Sequence, residues 1–125
     1  MGRRNTHSHR AALELDLRGT PAARGVGRGY VCSPAALAQE TARSAVVVVE
    51  RSTPAVIPLL LDAAGVLLIN GGVLSHVAHI CRELGVPCLV DVNAALTTWL
   101  LGQKVEIDGT TGVVRLLSES ESVDA

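Results

Sequence analysis

Gly71-Gly72-Val73-Leu74-Ser75-His76-Val77-Ala78-His79-Ile80-Cys81-Arg82-Glu83-Leu84-Gly85-Val86-Pro87 decides the reading of this chain. Two glycines follow an apolar run, and a histidine then opens a helical pattern that stops at Gly85, with Pro87 just beyond. The first turn of a helix leaves backbone N–H groups without partners and carries partial positive charge, so an anion is stabilised there. A phosphoryl group on His76 would sit in that field. Gly71 and Gly72 remove Cβ atoms that would keep the backbone away from a bulky phosphate, and Ser75 offers a hydroxyl as N-cap or as a donor to a phosphate oxygen. An imidazole is a competent nucleophile near neutral pH, since its ordinary pKa of about 6.5 leaves much of it unprotonated. The expected chemistry is a covalent phosphohistidine; the plainer reading of the same residues makes His76 a helix cap or a satisfied polar group.

Helical geometry sorts the neighbours of His76. At about 100° per residue, Glu83 falls about 20° from His76 but roughly 10 Å further along the axis, too far to orient it. His79 lies about 60° away and one turn up, so it either donates to an oxygen of a phosphate on His76 or is a partly exposed surface histidine. Cys81, about 140° from His76, cannot converge with the two histidines on one ion, and no metal site is expected. Arg82, about 120° the other way, is placed for loop carboxylates or a partner domain.

With 125 residues the chain makes one domain with a real core, too small for the nucleotide, carrier and acceptor sites of a complete multi-step phosphotransferase. It contains one Trp, one Tyr and no Phe, so the core must be built from Val, Leu, Ile and Ala, as suits an α/β domain with a covered sheet. A net charge of −1 gives no field to attract nucleic acid or an anionic membrane, and stacking aromatics are nearly absent. Three cysteines, Cys32, Cys81 and Cys88, without CxxC spacing indicate neither a disulfide framework nor a zinc knuckle, and a reducing cytoplasm fits best. No apolar run approaches the roughly 20 residues of a membrane helix.

Residues 1–10 read as a basic disordered arm and 118–125 as an acidic disordered tail, leaving 11–117 as the domain. Ala12 to Leu17 alternates like a first strand, and Gly25, Gly27 and Gly29 form a bend before a strand from Tyr30 to Ser33. Ala45 to Glu50 has the composition of a strand buried on both faces. Ser52 or Thr53 is expected to cap a helix running from Pro54 to Ala64, with Pro58 awkward inside it. Val66 to Ile69 and Cys88 to Val92 continue a parallel sheet on either side of the helix His76 to Leu84. Ala94 to Leu101 is a further helix, and Lys104 to Ile107 pairs with Val113 to Leu117 around an Asp108-Gly109 turn.

The run from Gly71 to Pro87 resembles the signature of the mobile phosphohistidine domain of phosphoenolpyruvate-utilising enzymes, Gly-Gly-x-[Thr/Leu]-Ser-His-x-Ala-x-x-[Ala]-Arg-Glu-x-Gly-[Ile/Val]-Pro. Ala23 to Gly29 is similar to the opening of these domains, Thr53-Pro54 with Pro58-Leu59 to their Thr-x-Pro and Pro-Leu segment, and Gly102 to Val113 to their closing hairpin, so roughly Gly19 to Leu116 is covered. There are departures. Leu68 and Ile69 stand where many members have Thr and a polar residue, Leu74 where Thr is common, His79 where an aliphatic residue is usual, and Asp91 where Gly closes the next strand.

The resemblance implies a single swivelling β/β/α phosphohistidine domain of α/β class with a mixed sheet. It assigns His76 as the phosphorylated residue, with Gly71, Gly72, Ser75, His79 and Arg82 counted as its phosphate-binding support. It also implies that the chain binds no cofactor tightly, that Mg-ATP or phosphoenolpyruvate is held by a partner, and that the partners are an ATP-grasp nucleotide-binding subunit or domain and an acceptor-binding subunit. The expected role is a stand-alone carrier in a split phosphotransferase, inactive alone. The alternative is a degenerate scaffold or regulatory module of the same fold, supported by Leu68 and Ile69; a third is a fragment lacking sister domains, against which the polar ends read as true termini.

Overall fold

The computed structural model describes residues 18–37, 45–118 and 120–121. Seven strands form one mixed sheet: β1 (Thr20–Ala23), β2 (Val26–Cys32), β3 (Ala45–Arg51), β4 (Gly65–Asn70), β5 (Cys88–Val90), β6 (Lys104–Asp108) and β7 (Val113–Leu116), in the order β1-β5-β4-β3-β2-β6-β7. The central strands β5, β4, β3 and β2 are parallel, while β1 at one edge and the β6–β7 hairpin at the other are antiparallel to their neighbours. Around it lie α1 (Pro34–Leu37), a 3₁₀ helix (Pro54–Leu60), α2 (His76–Leu84) and α3 (Ala94–Leu100). Arg18 bridges Val113, and Gly19 N donates to Gly112 O at 2.8 Å, so the β1 edge turns back onto the hairpin and the sheet curls.

Alternation along the valine run of β3 fills two cores at once. Val47 and Val49 share a layer with Val66 and Leu68 of β4 and with Val77, Ala78 and Cys81 of α2; Val46 packs the other way with Leu67, Leu89 and the α3 residues Leu96 and Leu100. A strand buried on both faces needs the unbroken apolar run that the sequence shows. Cys81 and Cys88 face each other inside the first layer, and their mutual hydrogen bond together with burial pushes the Cys88 thiol up, so it stays protonated at neutral pH.

Several expectations change. The proposed strand over 12–17 lies outside the described residues, as does the basic arm; the structure places the first described strand at Thr20–Ala23, where pairing with β5 rather than alternation makes the strand, and Pro21 is tolerated because β1 is an edge. Of the glycine bend expected before Tyr30, Gly25 is a bend (φ 118°), while Gly27 and Gly29 are already strand; a Cβ on Gly27 would lie 1.9 Å from Ala64 O, so glycine there permits a close backbone approach. The helix expected from Pro54 to Ala64 is a 3₁₀ helix ending at Leu60, without a side-chain cap from Thr53. Pro58 has no N–H for an i−4 bond, and the tighter helix accommodates it.

β5 ends at Val90 rather than Val92 because Asp91 turns to φ 56°. The hairpin joins through residues 109–112, and Asp108 Oδ1 accepts from Thr110 N at 2.8 Å and Thr111 N at 3.1 Å, bonds that hold its carboxyl below the usual range. The tail, expected to be mobile from Ser118, begins as a tied turn. Ser118 N donates to Glu121 Oε1 at 2.8 Å, Arg115 approaches the Glu121 carboxylate at 3.5 Å, and Lys104 Nζ donates to Glu121 O. Among the described residues no helix is long and apolar enough to cross a membrane.

Candidate functional site

The C-terminal end of β4 delivers the chain into the loop of Gly71 and Gly72, which closes on itself when Ser75 N donates to Gly72 O at 3.0 Å. Ser75 is then extended (φ −67°, ψ 159°) and caps α2, its Oγ accepting from Ala78 N at 3.3 Å. His76 is the first helical residue and its side chain is exposed; Val77 and Ala78 beside it are fully buried and anchor the turn to the sheet. The helix ends as expected, with Gly85 left-handed (φ 75°) and its N–H on Cys81 O.

The start of α2 is not an open anion site. Val77 N donates to Ser52 Oγ at 3.0 Å, so a hydroxyl from the chain leaving β3 fills the position that helix geometry alone leaves vacant, and Ser75 fills the next. Ser52, expected to cap its own helix, therefore holds a different one. The two glycines also differ. A Cβ on Gly71 would meet Leu68 Cδ2 at 2.6 Å, so this glycine serves packing, whereas nothing lies within 4 Å of a Cβ on Gly72, which faces open space.

His79 stacks on His76, with ring centroids 6.4 Å apart and planes 21° from parallel, and its Nε2 lies 3.9 Å from Glu83 Oε2. Glu83 thus bears on His79 and not on His76. Arg82, expected to support the phosphate, instead braces the loop against α2 and β1, its Nη1 donating to Val73 O at 2.9 Å and Ala22 O at 3.0 Å. The reason is local, since both carbonyls belong to irregular or edge backbone and need a donor. Val73 is half-exposed and Leu74 is 92% exposed, giving the loop an apolar tip beside His76. Asn70, Gly71, Gly72 and Val73 line one side of a shallow cleft of about 540 Å³, faced by Thr20, Val90 and Asp91.

Of the departures noted in the sequence, Leu68 is buried in the core beneath Gly71, and Ile69 lines the cleft. Among the described residues no group of three His, Cys, Asp or Glu side chains is placed to hold a metal ion.

The model of the PEP-utilising enzyme mobile domain matches residues 41–112, more than half of the chain. The chain belongs to that family. This mobile domain is 35% identical over 102 residues to the probable phosphoenolpyruvate synthase of Staphylothermus marinus and 33% identical over 103 residues to the phosphoenolpyruvate synthase of Pyrococcus furiosus. These matches cover 78% and 81% of the chain but only 12% and 13% of the relatives, so the chain spans about an eighth of the length of the curated proteins it matches. In fold, the mobile domain is similar to the N-terminal domain of Enzyme 1 - Nitrogen, with a TM-score of 0.52 and 20% identity over 66% of this chain and 34% of that one. The mixed, curled α/β sheet is thus shared with that structure, and the chain's family is that of the PEP-utilising enzyme mobile domain.

Proposed function

We propose that this mobile domain is a phosphohistidine carrier in a phosphoenolpyruvate synthase-like phosphotransferase. The observation that carries the reading is an exposed His76 at the first position of a capped helix, behind a loop braced from within. A ring nitrogen of His76 forms a bond to phosphorus as the bond from phosphorus to its leaving oxygen breaks, and the carried group later passes to an acceptor at a second site. Mg-ATP or phosphoenolpyruvate is held by an ATP-grasp partner, which also supplies most of the donors around the equatorial oxygens, and an acceptor-binding subunit completes the reaction. A cytoplasmic setting, where the three cysteines stay reduced, belongs to the same reading.

The scaffold alternative rests on the apolar residues at 68 and 69. The burial of Leu68 in the core weighs against it, because a side chain there is not available to a phosphate. The test is intact-mass spectrometry at alkaline pH after incubation with Mg-ATP and an ATP-grasp partner, alongside His76→Ala. One added phosphoryl group that disappears in the variant is the expected outcome. No addition with an active partner, or addition that survives the substitution, returns the domain to the scaffold reading.

A further inference from the structure

We propose that Arg51 is a positioning residue whose guanidinium holds the phosphoryl group on His76; the inference rests on the carrier reading and adds to it a residue that sequence reasoning misses. β3 and β4 run in parallel register with Val47 opposite Val66, Val49 opposite Leu68 and Arg51 opposite Asn70. Side chains alternate along a strand, and Val47 and Val49 lie in the layer shared with Val77, Ala78 and Cys81 of α2. Arg51, two residues past Val49, therefore projects from the face of the sheet that carries the His76 helix.

The next residue ties this end of β3 to α2: Ser52 Oγ lies 3.0 Å from Val77 N, so the side chain immediately after Arg51 reaches the first turn of the helix. The Arg51 side chain is exposed and, among the described residues, makes no hydrogen bond or ion pair. Of the other cations, Arg28 and Arg115 pair with Glu106, Arg82 braces Val73 O and Ala22 O, Arg24 follows Ala23, which is opposite Cys88 at the far end of β5, and Arg18 precedes β1, its backbone bridged to Val113.

A phosphoryl group arriving on His76 brings about two negative charges. The Val77 and Ala78 amides already meet hydroxyls, so the helix start answers that charge only in part. A guanidinium presents paired N–H donors that match phosphate oxygens and stays charged throughout the neutral range. The other titratable groups around this end are Glu50 beside Arg51 on β3, His79 and Glu83 on α2 and Asp91 beyond β5, and none of them changes in the variants below.

The test phosphorylates the full chain with potassium phosphoramidate, whose P–N bond breaks as a His76 ring nitrogen bonds to phosphorus and ammonia leaves, so no partner is required. Wild type, Arg51→Gln and Arg51→Lys are followed by phosphorus NMR against pH, with His76→Ala assigning the resonance and circular dichroism confirming the fold. A cation beside the phosphoryl group favours its dianion, so the Arg51→Gln titration midpoint is expected to move up by roughly half a unit, and Arg51→Lys to recover part of the shift. Coincident midpoints in wild type and Arg51→Gln overturn the proposal, whether or not an ATP-grasp partner labels His76. Failure of such a partner to label His76 bears on the carrier reading alone, and the chemical labelling still reports on Arg51.

Discussion

Asp91 occupies a conformation that costs most residues about 1–2 kcal/mol, with φ 56°, and it does so at the point where β5 must stop to form one wall of the cleft. Aspartate tolerates this region better than most residues, and glycine best of all. Asp91→Gly is therefore expected to leave stability within about 0.5 kcal/mol of wild type, because relief of strain offsets the added freedom of the unfolded chain, while Asp91→Val loses about 1–2 kcal/mol in urea unfolding. Gly72 offers the complementary case. A methyl group there meets nothing in the domain, so Gly72→Ala keeps or slightly raises the melting temperature, yet it narrows the cleft that Gly72 lines and, on the carrier reading, lowers the rate of phosphorylation by a partner. A loss of stability with unchanged phosphorylation would contradict that reading of the glycine.

At the scale of elements, α2 is legible from the chain because its two ends are local: Ser75 and Gly85 sit next to the residues they cap. The Ser52 contact is not legible, since its partner is 25 residues away and a Ser-Thr-Pro sequence signals a cap for whatever follows it. The 3₁₀ helix reads as α because Pro54 announces a helix start and a start signal does not tell how tightly the segment around Pro58 winds. Removing either hydroxyl leaves a helix amide without its acceptor, and Ser52→Ala and Ser75→Ala are each expected to cost about 1 kcal/mol, measured by chemical denaturation. Wild-type stability in both variants would mean that water replaces the caps at no cost. Of the candidate site, His76, Ser75 and His79 are readable from helical spacing, whereas the bracing role of Arg82 is not, because its acceptors lie on a loop and on an edge strand.

Across the whole molecule, the parallel centre can be read from apolar runs and turn signals, but β1 and the curl cannot. Thr-Pro-Ala-Ala has no strand pattern, and it becomes a strand only by closing the sheet against β5. The far edge carries the acid response of the fold. Burial alone would raise the carboxyl of Glu106, but Arg28 at 2.8 Å and Arg115 at 3.3 Å outweigh it, and the net shift is downward, as it is for Asp108. A depressed carboxyl contributes stability that is complete above its ordinary value and is lost as pH falls through the lower folded value. Urea midpoints are thus expected to be level above about pH 5 and to fall in more acidic solution, with a shallower fall in Glu106→Gln. An unchanged acid slope in that variant would place the response elsewhere.

The brace from Arg82 to Val73 O and Ala22 O bears on how a carrier of this kind keeps time. A loop fastened from inside travels with its histidine as rigid cargo, and nothing near His76 has to reorder on arrival at either station. On the carrier reading the slow event is then the passage of the whole body through solvent, whose pace is set by friction. Turnover of the assembled enzyme would fall in proportion to viscosity, and loosening the loop with Arg82→Met would weaken that proportionality by making the conformational search of the loop the slower clock.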